Sequence, residues 1–122
     1  MASGQWAING GVLSLDSVLG NGNRLLVGLT AKVMAADAND SLTAAQCAAR
    51  IIVVTSGVSL TALRNIVMPT VEAGQLYLVS NQTTGGQSIK IIGASGTGAT
   101  VATGKVAWVF CDGTNFVAGP ST

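Results

Sequence analysis

Gly104-Lys105-Val106-Ala107-Trp108-Val109-Phe110-Cys111-Asp112-Gly113-Thr114-Asn115-Phe116-Val117 reads as a β-hairpin, and this stretch sets the class of the fold. Lys105 to Cys111 is rich in β-branched and aromatic side chains, which suit a pleated and largely covered surface. Asp112-Gly113 supplies the turn, because glycine accepts φ > 0 without steric cost. Alternation puts Val106, Trp108 and Phe110 on one side of the first strand, and Ala107, Val109 and Cys111 on the other. Both sides are apolar, whereas a strand with one wet face alternates apolar with polar residues. The expectation is a strand covered twice, once by its own core and once by a further layer.

From Arg50 onward the chain is a series of short strands at close spacing. Arg50–Thr55, Leu63–Met68, Gln75–Asn81, Ser88–Ile92 and Thr100–Ala102 each carry a β-branched or aromatic run. Ser56-Gly57, Pro69, Glu72-Ala73-Gly74, Thr83-Thr84-Gly85-Gly86 and the glycines at 93, 96 and 98 separate them. Ahead of this series, Ser41 to Ala49 has good helix formers behind a Ser or Thr cap, enough for one or two helical turns. The pattern predicts an all-β domain over residues 41–122, a compact antiparallel β-sandwich or jelly-roll-like fold.

Residues 1–40 read as an N-terminal arm, in which residues 1–30 differ most and Leu26 to Ala36 is a candidate strand pair, clearest at Lys32-Val33-Met34. Trp6, Ile8, Val12, Leu13, Leu15, Val18, Leu25, Leu26 and Val27 are spread among glycines, and only Asp16 and Arg24 are charged before residue 31. Asn9-Gly10 and Asn21-Gly22 are turn signals, so short extended pieces fit better than a helix. Such a segment buries little against itself. It is expected to be an extended arm with short strands that adds edge strands to its own domain or lies over a neighbour.

Composition points the same way. Only 9% of the 122 residues are charged, against roughly 25% in ordinary globular chains. Hydrophobic residues make up 48%, mean hydropathy is +0.53, and there are 16 glycines. So little charge favours burial of apolar surface against other subunits, and with it a homo-oligomer. A net charge of +1 without clusters argues against nucleic-acid binding through a basic stripe. No apolar run reaches the length of a membrane span, and the N-terminus lacks the pattern of a secretory signal. Cys47 and Cys111 are therefore expected as two buried free thiols.

Five stretches then stand in a distinctive order: Leu42-Thr43-Ala44-Ala45-Gln46, Arg64-Asn65-Ile66-Val67-Met68-Pro69, Leu76 to Gly86, Ala94-Ser95-Gly96-Thr97-Gly98 and Cys111-Asp112-Gly113-Thr114-Asn115. Together they resemble a β-domain that recurs in virion proteins of tailed bacteriophages. Its members include small capsid decoration (cement) proteins and modules of tail fibres and spikes. The resemblance covers residues 41–118 and implies a trimeric virion component without enzymatic activity. Residues 1–40 lie outside it.

An enzyme is poorly provided for. The chain has no histidine, which removes the commonest general base and metal ligand. Two cysteines without histidine make neither a zinc site nor a cysteine-protease pair. Asp16, Asp37, Asp40, Glu72 and Asp112 sit in turn-like positions, where capping explains them, and the ligand spacing of a calcium loop is absent. Gly98 to Gly104-Lys105 has five intervening residues where a phosphate loop has four, and Val106 follows the lysine. No catalytic, metal or cofactor residue is expected.

The expectation is thus a capsid decoration protein, outside the capsid and assembled in the host cytoplasm, whose partners are the major capsid protein and itself. Its size favours this over a fibre, which needs a long shaft. Trp6, Ile8, Val12, Leu13, Leu15 and Val18 are the candidates for the capsid contact. Val106, Trp108, Phe110 and Phe116 are those for the subunit interface. The alternative is a tail-fibre or spike module that recognises a host surface glycan through its aromatic residues.

Overall fold

Short β-branched runs between glycine and proline turns become strands in the computed structural model of the chain. It describes residues 26–121 and, N-terminal to them, β1 (Ile8–Asn9) paired antiparallel with β2 (Val12–Leu13). The further strands are β3 (Leu29–Met34), β4 (Asp40–Ser41), β5 (Ile51–Ser56), β6 (Arg64–Val67), β7 (Leu76–Asn81), β8 (Ile89–Ile92), β9 (Ala99–Val101), β10 (Val106–Cys111) and β11 (Phe116–Ser121). They form a five-stranded sheet in the order β11-β10-β7-β5-β3 and a four-stranded sheet in the order β4-β6-β8-β9. Between β4 and β5 lies one 3-10 turn, Gln46–Ala48. Thr43 and Gln46 brace it reciprocally, each backbone N–H donating to the other's side-chain oxygen at 2.8 and 3.2 Å.

The all-β class is as expected, but the antiparallel pairing is corrected. Both sheets are mixed: β3, β5 and β7 run parallel in the larger one, and β4, β6 and β8 in the smaller. From β3 to β8 the chain alternates between the sheets, so each strand lies beside the one laid down two earlier. Leu29 pairs with Ile51 and Ile51 with Leu78, while Asp40 pairs with Ile66 and Ile66 with Ile91. Each coil takes roughly 25 residues, within the range of solenoid repeats. The antiparallel strands β9, β10 and β11 then close one end. The crossovers pass through the opposite sheet, so the parallel pairs need no helix between them.

The boundary at residue 40 also moves. Leu29–Met34 is the edge strand of the larger sheet, so the β-domain reaches back into the segment expected to be an arm.

The core lies between the sheets. Met34, Ile52, Val54, Tyr77, Val79, Ala107 and Val109 enter it from the larger sheet, and Ile66, Ile89, Ile91, Ala99 and Val101 from the smaller. Asn81 ties the layers together and is fully buried. Its Nδ2 donates to the carbonyls of Gln87 (3.1 Å) and Val101 (3.0 Å), and its Oδ1 accepts from the N–H (3.1 Å) and hydroxyl (2.6 Å) of Thr83. Every bonding position of this amide is used. Gly85 passes directly over the backbone of Leu60 with φ 106°, where a Cβ would collide with the Leu60 carbonyl oxygen.

Candidate interaction surface

Alternation leaves every second residue of the larger sheet facing away from the core, and these positions line up across strands. Trp108 sits beside Leu78, Leu78 beside Ile51 and Ile51 beside Leu29. In the adjoining row Phe110 lies between Leu76 and Val117. Ala31, Val33, Val53 and Val106 extend the apolar area, and Thr55 and Ser80 bring only hydroxyls. No outward position of β3, β5, β7 or β10 is charged. Trp108 is 51% exposed and Leu29 61% exposed, with Val33, Leu76, Phe110 and Val117 open as well. An apolar sheet face of this extent marks a contact surface in a water-soluble protein.

Two depressions mark one end of this face. A hollow of about 220 Å³ is walled by Val27, Arg50, Ile51, Leu76, Leu78 and Trp108. A broader one of about 370 Å³ adjoins it over Leu26, Val27, Gly28, Leu29 and Ile51. Arg50 is the single charge at the rim, and its guanidinium is already engaged. It donates to the carbonyls of Cys47 (2.8 Å), Ala48 (3.3 Å) and Leu76 (3.4 Å) and lies 4.8 Å from the centre of the Tyr77 ring. The arginine therefore braces the start of β5 instead of waiting for an anionic ligand.

The strand β10 divides as its alternation predicts. Ala107, Val109 and Cys111 are buried, whereas Trp108 and Phe110 are open and Val106 is half-buried. Among the described residues nothing covers the outer side of this strand at Trp108 and Phe110. Phe116 corrects the sequence reading: it is 1% exposed and packs inward, so its ring belongs to the core and does not join Val106, Trp108 and Phe110 on the face. Val117 takes that place. Sequence reasoning also passed over Leu29, Val33 and Leu76, because only the register shows that they share a surface with Trp108. Of the expected capsid contacts, Trp6, Leu15 and Val18 lie outside the described residues, and Ile8, Val12 and Leu13 are described only as backbone of β1 and β2.

Among the described residues, Asp37, Asp40 and Asp112 are engaged within the fold. Asp37 accepts from Arg64 Nε (2.9 Å), the Thr61 hydroxyl (2.6 Å) and the Thr61 N–H (3.2 Å). These bonds, that from Arg64 foremost, hold its carboxyl at a pKa of about 2. Asp40 pairs with Lys32 at 3.1 Å. Each carboxylate has its own cation, so the two do not converge on a shared ligand. Asp112 is held below the usual carboxylate range by the N–H groups of Asn115 and Thr114, which close the hairpin turn at 2.8 and 2.9 Å. Cys47 and Cys111 are free and buried, and burial pushes the Cys47 thiol up. Among the described residues no three His, Cys, Asp or Glu side chains gather, and no helix is long and apolar enough to cross a membrane.

Compared with known proteins, the chain matches no family model, no curated protein and no solved structure.

Proposed function

We propose that this chain is a structural subunit of a tailed-phage virion, a capsid decoration protein that seats as a homotrimer on the assembled shell and bridges its subunits. The observation that carries the reading is the uncharged, apolar outer face of the larger sheet, with Trp108, Phe110, Leu76 and Leu29 open on it. Such a face has a purpose in a protein whose work is to be covered. Removing the exposed half of one large side chain from water contributes about 1 kcal/mol, and a face of several such residues repeated in each subunit outweighs the cost of association. The resemblance of residues 41–118 to phage virion domains supplies the class of partner.

The mechanism is linkage. A subunit that binds the assembled shell, and not its separate parts, stabilises the shell by mass action. A trimer joins several weak footholds through effective concentration. Val106, Trp108 and Phe110 would form the subunit contact, and the N-terminal segment the contact with the major capsid protein.

Copurification tests this reading. The protein should travel with intact virion heads in a fixed ratio to the major capsid protein, and sedimentation at micromolar concentration should give three chains per particle. A monomer that ignores heads and binds isolated host envelope would replace this reading with the glycan-binding one.

A further inference from the structure

The successive coils β3–β4, β5–β6 and β7–β8 place equivalent residues over one another. One inward row of the larger sheet runs Lys32, Val54, Asn81, and one of the smaller sheet runs Asp40, Ile66, Ile91. Val54, Asn81, Ile66 and Ile91 are fully buried, and the amide of Asn81 is fully bonded. In the outermost coil the same two positions hold a cation and an anion, joined at 3.1 Å across the gap between the sheets. The Lys32 side chain is 13% exposed and that of Asp40 33%, so the pair sits where the core meets water at the end of the stack.

The two sheets have four edge strands among the described residues, β3, β11, β4 and β9. Three are blunted by length or backbone. β4 has two residues and β9 three. In β11, Ala118 and Ser121 stand opposite Val109 and Ala107, so the strand carries an extra residue there, and Pro120 has no N–H to give. Only β3, six residues in unbroken register with β5, is long and regular enough to accept a strand. That edge is the one with an inward charge, and an inward charge on an edge strand opposes the addition of another. A strand or coil laid over it would take both ions out of water, at a cost their attraction does not fully repay.

We infer that the Lys32–Asp40 pair is an end cap, which closes the coil stack against a second copy of this chain. A second copy offers the same edge, and two β3 strands related by a two-fold axis would pair antiparallel and bury two such ion pairs. Stacked-coil folds need a terminal repeat with a polar outer side for this reason. Self-association is thereby left to the outer face of the larger sheet. The inference rests on the reading of that face only for where association goes instead.

Sedimentation with amide hydrogen exchange tests the cap in the full chain carrying Trp108→Ser and Phe110→Ser, which removes the outer-face contact. Adding Lys32→Val with Asp40→Val gives the first coil the apolar chemistry of Val54 and Ile66. The mass per particle should double at micromolar concentration, and exchange within residues 29–34 should slow several-fold on concentrating. Lys32→Arg with Asp40→Glu keeps both charges and should leave the parent mass unchanged. Lys32→Met, which keeps the length of the stem, should give the same doubling if the two valines perturb folding. An uncharged variant that keeps the parent mass at every concentration overturns the inference. Doubling without protection in residues 29–34 places the new contact elsewhere and overturns it too. A Trp108→Ser, Phe110→Ser chain that stays trimeric with Lys32 and Asp40 in place sinks only the proposed subunit contact, since the mass and protection gained on removing the charges still decide the cap.

Discussion

Across the outside of the larger sheet run Trp108, Leu78, Ile51 and Leu29; across the outside of the smaller one run Asn65, Lys90 and Thr100. Both rows obey the same alternation, and both sheets send their other residues into one shared core. The smaller face is finished for water, with Val67 and Ile92 only half-buried beside polar neighbours. The larger face is finished like an interior. A two-layer β-fold needs only the inner sets for folding, so the difference between the outer sets reflects what each side meets afterwards.

That contrast depends on the two sheets staying locked together, and the largest expected effect comes from breaking the lock. Asn81 belongs to β7 of the larger sheet and donates to Val101 of the smaller. Asn81→Leu keeps the volume but strands the carbonyls of Val101 and Gln87 and the donors of Thr83. The cost should be on the order of 3–5 kcal/mol, read by chemical denaturation. A cost under about 1 kcal/mol would mean that the layers hold without this amide.

The next prediction compares the faces directly. Trp108→Ser with Phe110→Ser should change the stability of the folded subunit by about 1 kcal/mol or less per site, because both side chains are already half in water. The same pair should shift sedimentation from the proposed trimer to monomer. Lys90→Gln with Thr100→Ala on the smaller sheet should leave both stability and assembly as they were. If both double variants stay trimeric, the apolar face is not the subunit contact.

Much of this was legible in the sequence, and unevenly. Every strand from Ile51 onward lies within a residue or two of its predicted place, apart from a longer β11, because β-branched runs and glycine turns are local signals. Pairing direction was not legible, since Ile51-Ile52-Val53-Val54 reads the same beside a parallel or an antiparallel neighbour. Near-continuous apolar runs of that kind are the one available hint of parallel pairing. The open side of Trp108 and Phe110 followed from alternation alone. Leu29, Val33 and Leu76 joined them only through register, and Phe116 left the set because the turn at Asp112-Gly113 fixes the parity of the returning strand.

The smallest expected effect concerns the loop before β4, where Asp37 reaches across to Thr61 and Arg64 ahead of and within β6. The bonds from Arg64 and Thr61 lower the Asp37 pKa from 3.8 to about 2. A carboxylate with a depressed folded pKa stabilises the fold above its unfolded value, and that contribution is lost as pH falls through the folded one. Stability measured by denaturation should therefore decline between about pH 4 and pH 2. The decline will be slight, because this carboxylate is only partly buried and the ion pair is screened. Asp37→Asn should flatten that part of the pH profile while leaving neutral-pH assembly unchanged, since the residue lies away from the apolar face. An unchanged acid profile in Asp37→Asn would move the pH dependence to Asp112, whose turn bonds depress it in the same direction. Asp112→Asn then separates the two, for it loosens the closing hairpin that carries Trp108 and Phe110, whereas Asp37→Asn touches only the far side of the core.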